Sequence, residues 1–450
     1  MNDSHQQSNE NTAPLIISSP PLTLTPLKSE EDCYGQSEEG SAEESPNPAY
    51  QYYIGENLKT LDNLLAGPTF TQEHANCIEQ IRSMYCNPSL EGEKSQMARN
   101  LAEKFAQTVP TNDRFHFYSI DEIMKIHSSD ESSIEPKLCL LKGLGADRIG
   151  KYFSNTNHIN VCPISGQFDY QENVSCRRTS HFNEWVGDRT YGPQASLQAV
   201  STAALRNIRY CGENNCSGSA HDDSETVNGR ERIGCMFDPL LKLPITNDAT
   251  SIDFDTFLKK YPDLFANGFF QPYSLIREPD AKDELCILSK FFQKNCHKLN
   301  MLIYWAPCNE SKQIQLQIVN SATAYQGLNS RSKIPLEYQS VCNEIDATLL
   351  SCQYVADAIV AAELAKMHKK QEVNLLLPLT GMGSFRNDIS TITVCLVKMF
   401  PYVVHARVNI YFMAYSDSDV TYWKNAVNGI EDEKIKDFYR KAFQSISEAI

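Results

Sequence analysis

No apolar run in this chain approaches the roughly 18 residues that a membrane-spanning helix requires. Its opening, Met1-Asn2-Asp3-Ser4-His5, is polar, and Pro14-Leu15-Ile16-Ile17 is too short for the apolar region of a secretory leader. The expectation is therefore a cytoplasmic protein with no membrane span. Basic charge is also scarce: 41 Lys and Arg face 56 Asp and Glu, a net charge of -15. A chain of this balance has no electrostatic footprint for DNA or RNA, so no nucleic-acid partner is expected. No Gly-Lys-Ser/Thr follows Gly383, which excludes a Walker phosphate loop, and Gly381-x-Gly383 lacks the third glycine of a Rossmann site. A tight Cys-x2-Cys knuckle is missing as well. The nearest approach to a metal cluster, Cys211, Cys216, His221 and Cys235, lacks zinc-ligand spacing, and neither a metal nor a cofactor is expected. Internal repeats are absent.

What is present is a chain of 450 residues, 41% hydrophobic and 22% charged, with room for two or three domains built on real cores. Its charge is unevenly placed. Residues 1–50 hold nine acidic residues against Lys28, so nine minus one places -8 of the -15 in this segment. The segment is rich in Ser, Pro, Glu and Asn and poor in aromatics, the composition of a disordered acidic tail. Fifteen cysteines, an odd number at scattered positions, read as reduced and mostly buried thiols.

Helical spacing dominates residues 51–136, through Leu58, Leu61, Leu64 and Leu65, then Cys77, Ile78, Ile81 and Met84, then Met97, Leu101 and Phe105. These predict a small N-terminal helical lobe. Strand-like and helix-like segments alternate over 137–420. Ile159–Pro163, Met301–Trp305, Ile314–Val319, Val373–Leu379 and Val403–Tyr415 read as strands, and Ile345–His368 as a long helix. The order argues for a layered α/β fold. A polar Gly/Ser/Asp-rich stretch at 211–231 reads as an insertion, and 421–450 as a C-terminal helix, charged and amphipathic from Asp432.

Two motifs carry the chemistry. In Leu375-Leu376-Leu377-Pro378-Leu379-Thr380-Gly381-Met382-Gly383-Ser384-Phe385-Arg386-Asn387-Asp388 an apolar strand passes into a glycine-spaced loop. Such loops turn backbone N–H groups toward an anion, and glycines permit positive φ and close ligand approach. In Asp188-Arg189-Thr190-Tyr191-Gly192-Pro193 a carboxylate and a hydroxyl precede a helix bearing Leu197, Val200, Ala204 and Ile208 on one face. Spacing alone also allows Asp188 and Asp388 to be simple helix caps. Cys162, Cys176 and His181 make a weak thiol–imidazole set, Asp169 and Glu172 read as a solvated loop, and Tyr304 and Trp305 read as strand core, with adenine stacking as the alternative.

Together with Val319-Asn320-Ser321-Ala322, these two motifs resemble, in the same order, segments of the macrodomain-like family of ADP-ribose-binding proteins and ADP-ribosyl hydrolases. The resemblance covers roughly residues 140–415. It implies a three-layer macro-like α/β domain with a mixed central sheet, following the helical lobe. It further implies a cleft in which Gly381 and Gly383 face the diphosphate and Phe385 walls the distal ribose. Asn320 would bond ribose hydroxyls, Thr190, Gly192 and Asn387 would line the ligand, and Asp188 would orient the ribose or activate water for glycosidic cleavage. The implied partner is ADP-ribose or an ADP-ribosylated protein. The implied activity is removal of ADP-ribose, with a non-catalytic reader or interaction module as the alternative. Effectors of intracellular bacteria that act on ADP-ribosylated ubiquitin are similar in outline, which would place the protein in a host cell without a Sec signal. Two departures stand out: Thr380 and Met382 interrupt a loop that relatives commonly build from glycine, and Tyr191 stands where they often carry Gln.

Overall fold

The computed structural model describes residues 61–66, 116–127, 135–143, 152, 157–168, 236–245, 251–266, 268–307, 314–325, 334–383, 385–444 and 446–448. All lie within the compact unit Pro46–Ile450. The tail 1–50, the Asp188–Pro193 motif and the 211–231 stretch lie outside the described residues.

An eight-stranded mixed sheet organises the molecule. In chain order its strands are β1 (His116–Ser119), β2 (Leu138–Lys142), β3 (His158–Gly166), β6 (Asn300–Pro307), β7 (Ile314–Ser321), β8 (Glu372–Leu377), β9 (Val408–Ala414) and β10 (Ile446–Glu448). A two-stranded hairpin, β4 (Phe265–Ala266) and β5 (Phe269–Phe270), stands apart from it. Across the large sheet the order is β1-β6-β7-β3-β8-β9-β2-β10. From β7 to β10 every pairing is parallel, whereas β6 runs antiparallel to both β7 and β1. Near-continuous apolar runs such as Leu375-Leu376-Leu377 follow from this, because a parallel strand at the centre of a sheet is buried on both faces.

Eight helices are described: α1 (Leu61–Leu65), α2 (Ile120–Ile126), α3 (Phe254–Lys260), α4 (Ala281–Asn295), α5 (Leu336–Met367), α6 (Ile389–Val403), α7 (Asp417–Asn428) and α8 (Glu433–Arg440). The crossovers β7–α5–β8 and β8–α6–β9 step the same way across the sheet. Right-handed crossing therefore sets α5 and α6 on one face, where they pack on each other and α4 packs on α5. The opposite face carries a small apolar cluster of Cys139, Leu141, Cys162, Leu376 and Tyr411. On that face a row of amides crosses the amino ends of three strands. Asn374 Nδ2 donates to Asn160 Oδ1 at 2.9 Å, and Asn409 Nδ2 to Asn374 Oδ1 at 3.0 Å.

α5 is the axis of the domain. It has 32 residues, and every one from Gln353 to Ala365 is buried. Its Ala356, Ala358, Ala361, Ala362 and Ala365 let neighbours approach closely, and its length and apolarity would suit a membrane span. Burial of 89% of its apolar window within this fold accounts for that composition.

Four sequence-based boundaries move. α5 begins at Leu336 rather than near Ile345, since its first turn is polar and gives no apolar periodicity. Val403 ends α6, and β9 starts only at Val408. The expected C-terminal helix over 421–450 is instead the end of α7, then α8, a 3-10 turn at Lys441–Gln444, and β10. A long-range pairing, Ile446 with Leu140, overrides the local helical pattern there. Finally, the described parts of the expected helical lobe belong to the main core: β1 is an edge strand of the sheet, and Leu61, Leu64 and Leu65 pack into the same cluster as α5.

Candidate functional site

In open α/β sheets, ligands bind beyond the carboxyl ends of parallel strands. Here the chain leaving β7 (Asn320–Tyr325) meets the chain leaving β8 (Pro378–Asp388). Both rest on a polar stripe of α5. Asp346, Gln353 and Asp357 lie seven and four residues apart, close to helical repeats, so they share one side of the helix. Asn320 Nδ2 donates to Asp357 Oδ2 at 2.6 Å. One residue on, Gln353 both accepts from Ser321 N–H at 2.7 Å and donates to Ser321 C=O at 2.8 Å. Farther out, Asp346 accepts from the hydroxyls of Thr323 and Tyr325. The segment is thus zipped along α5, its polar backbone satisfied by buried side chains. The adjoining Tyr354 hydroxyl donates to Pro378 C=O at 2.5 Å, fixing the second segment to the same helix.

The two segments are tied directly as well. Asn387 Nδ2 donates to Thr323 C=O at 2.8 Å and to Gly381 C=O at 3.1 Å. Gly381 has φ +82°, and a Cβ built on it would lie 2.7 Å from Ala322 Cβ and 2.6 Å from Asn387 Nδ2. Only glycine fits there. Gly383 differs: its φ is not positive, and a Cβ on it meets nothing within 4 Å. Gly381 therefore closes the two segments together, while Gly383 stands at the open rim of the loop. Between them Met382 N–H donates to Leu379 C=O, and Arg386 N–H to Gly383 C=O. The N–H groups of Gly381, Gly383 and Phe385 meet no acceptor among the described residues.

The neighbouring walls are aromatic and polar. Phe385 is half-buried with its ring 5.6 Å from Phe269 in β5, and its carbonyl accepts from Tyr325 N–H. Tyr325 stacks on Tyr273 at 5.7 Å. At the end of β3, Ser165 Oγ donates to Thr380 Oγ1 at 3.4 Å. Asp388 is the N-cap of α6, its carboxylate accepting from Ser390 N–H at 2.9 Å, which is the capping alternative read from the sequence.

Asp357 is a buried acid with little to stabilise its charge. Burial raises its carboxyl well above the ordinary range, and the Asn320 hydrogen bond only partly offsets this. Asp357 Oδ1 and Asn320 Oδ1, with Ser321 Oγ and Thr391 Oγ1, are buried without a hydrogen-bond partner among the described residues. Such groups normally meet water or ligand atoms. Burial likewise raises the Tyr354 phenol.

Set against the sequence expectations, the structure brings together Asn320, Gly381, Gly383, Phe385 and Asn387 and separates their roles. The Asn320 side chain turns inward to Asp357 rather than outward, so a ribose contact from it would need that pair to open. Asn387 is a tie between loops, its amide committed on both sides. Asp188, Thr190 and Gly192 lie outside the described residues, as do Cys176, His181 and the cluster Cys211, Cys216, His221 and Cys235. Cys162 is buried in β3 with its thiol on Gln315, and Trp305 is buried with Nε1 donating to Leu64 C=O at 2.8 Å, a core residue. Among the described residues no group of three or more His, Cys, Asp or Glu forms a metal site. Sequence reasoning missed the roles of Gln353, Tyr354 and Asp357. Their signal was available, as polar residues at i and i+4 within an Ala/Val/Ile-rich helix.

Comparison of the chain with family models, with curated proteins and with solved structures returned no match.

Proposed function

We propose that this protein is a macro-like ADP-ribose-binding protein whose cleft lies between the segments 320–325 and 378–388. The observation that carries this reading is the contact of Gly381 with Ala322, which joins two of the three motifs of the family resemblance into one wall. On this reading the loop's unpaired N–H groups receive the diphosphate, a role that suits oriented backbone amides. Gly383, at the open rim, leaves the approach clear, and the half-buried Phe385 ring offers an apolar surface to a sugar. The mixed sheet with α5 and α6 on one face is compatible with a three-layer domain.

Hydrolysis of the glycosidic bond is the proposed activity, and it requires a solvent-accessible acid or base. Asp357 is too deeply buried for the task, and Asp388 is spent on its helix cap. The family resemblance assigns the reaction to Asp188, which would hold the distal ribose or deprotonate the attacking water. A host-cell location as a translocated effector, with an ADP-ribosylated protein as substrate, is the corresponding proposal for its setting. A reader without turnover is the second reading, favoured by the absence of a usable acid among the described residues of the cleft.

Calorimetric titration with ADP-ribose tests the cleft. Wild type should bind, and Gly383→Val should lose binding while its thermal unfolding stays unchanged, because the added side chain enters open space. Unchanged affinity in that variant, or no heat from wild type at millimolar ligand, overturns the reading. Incubation with an ADP-ribosylated protein separates enzyme from reader. Asp188→Ala should retain binding and lose release of ADP-ribose, and an intact rate in it would displace Asp188 from the reaction.

A further inference from the structure

Next to the polar stripe of α5, two thiols meet. Cys296 opens the 3-10 turn Cys296–Lys298 that ends α4, and Cys352 lies in the middle of α5. Their sulfurs are 2.8 Å apart although the residues are 56 positions apart in the chain. A disulfide bond is about 2.05 Å long, so little movement separates this contact from a covalent one. Both helices are held independently of the thiols, since Ser289 Oγ on α4 donates to Glu344 Oε2 on α5 at 2.8 Å. The pair is also asymmetric. Cys296 is buried and Cys352 is partly exposed. Their shared hydrogen bond and, more weakly, the Lys398 ammonium on α6 lower the Cys352 thiol against the opposing effect of burial, whereas the same hydrogen bond and burial both raise Cys296. A thiol that loses its proton more readily, in contact with one that holds its proton, is the arrangement of an attacking and a resolving cysteine.

We propose that Cys296 and Cys352 form a hydroperoxide-reactive dithiol, with Cys352 attacking and Cys296 resolving. In the first step the Cys352 thiolate attacks one oxygen of the hydroperoxide. An S–O bond forms, the O–O bond breaks, and the other oxygen leaves as alcohol or water after taking a proton. Cys352 is then a sulfenic acid. In the second step the Cys296 sulfur attacks the sulfenic sulfur, forming the S–S bond and breaking S–O. The hydroxyl leaves as water with the Cys296 proton. Two thiols are oxidised by two electrons in total and one hydroperoxide is reduced.

The product would tie the end of α4 to α5 beside Gln353 and Tyr354, the residues that hold the two cleft segments. The oxidation site stands whether or not the cleft binds ADP-ribose.

The test is peptide mapping of the full-length chain under non-reducing conditions after stoichiometric hydrogen peroxide. The expected result is a Cys296–Cys352 linked peptide as the dominant cross-link, lost on treatment with dithiothreitol, with a higher melting temperature for the oxidised form. In Cys296→Ser, Cys352 should instead accumulate a sulfenic acid trapped by a cyclic 1,3-dione, and faster than Cys286, the other partly exposed thiol described. The proposal is overturned if both cysteines are recovered as free thiols while others oxidise, or if Cys352 in that variant reacts no faster than Cys286. The wild-type map alone decides the matter should a variant not fold.

Discussion

Replacing Gly381 by alanine tests whether the segments leaving β7 and β8 are joined as described. The residue's φ of +82° lies where an L side chain is disfavoured, by roughly 1–2 kcal/mol. The new methyl group would also stand 2.7 Å from Ala322 Cβ, far inside the ordinary carbon contact of about 3.5–4.0 Å. Its second neighbour, Asn387 Nδ2 at 2.6 Å, cannot swing aside without giving up its bonds to Thr323 and Gly381 carbonyls. Overpacking of this kind costs about 1–3 kcal/mol. A smaller unfolded ensemble returns about 0.4–1 kcal/mol. The net expectation is a loss of about 2–4 kcal/mol, a sizeable part of a typical protein's stability. Urea unfolding followed by circular dichroism reads it as a lower midpoint at unchanged slope. Gly383→Ala is the internal control, expected within about 0.5 kcal/mol of wild type. Equal midpoints for Gly381→Ala and wild type refute the close approach of the two segments.

Three other outcomes follow from the same geometry. The Asp357 carboxyl is raised above its ordinary 3.8, so the folded chain keeps a proton that the unfolded chain releases, and stability falls as pH rises through that window. Relative to Asp357→Asn, wild type should lose up to about 1.4 kcal/mol per pH unit above about pH 4. A flat difference in midpoint between the two proteins would remove the buried neutral acid. Asn387→Ala leaves the buried Thr323 carbonyl without its donor and should cost about 1–3 kcal/mol, read by the same unfolding assay. Asp388→Ala loses the α6 cap, at about 0.5–2 kcal/mol, yet removes a negative charge near the proposed phosphate position. Tighter ADP-ribose binding in calorimetry is expected from it, and weaker binding counts against phosphate at that loop.

Legibility followed the range of the interactions involved. Val373–Leu377 emerged as a strand because its Leu375-Leu376-Leu377 run is the imprint of a strand buried on both faces, and Ile159–Pro163 and Ile314–Val319 because their apolar residues recur at every second position, Ile159 with Val161 and Ile314 with Leu316 and Ile318. The Asp388 cap was legible because its partner is two residues away. Distant partnerships left no such mark. Asn320 and Asn387 read as ligand contacts, and the hydrogen bonds that place them within the protein, spanning 37 and 64 residues, left no mark in the sequence. The polar stripe of α5 was visible as residue types and silent as to what it would hold.

By itself, then, the sequence determined an α/β chain with a glycine-spaced turn after a buried strand, since propensity and burial pattern act within a few residues. Tertiary structure alone decided that Gly381 is packed against Ala322 while Gly383 is open, that β10 replaces a helical end, and that Cys296 finds Cys352. The physical reason is common to all three. Each is a contact between segments far apart in the chain, and only the packing of α4, α5 and the sheet against one another sets which atoms meet.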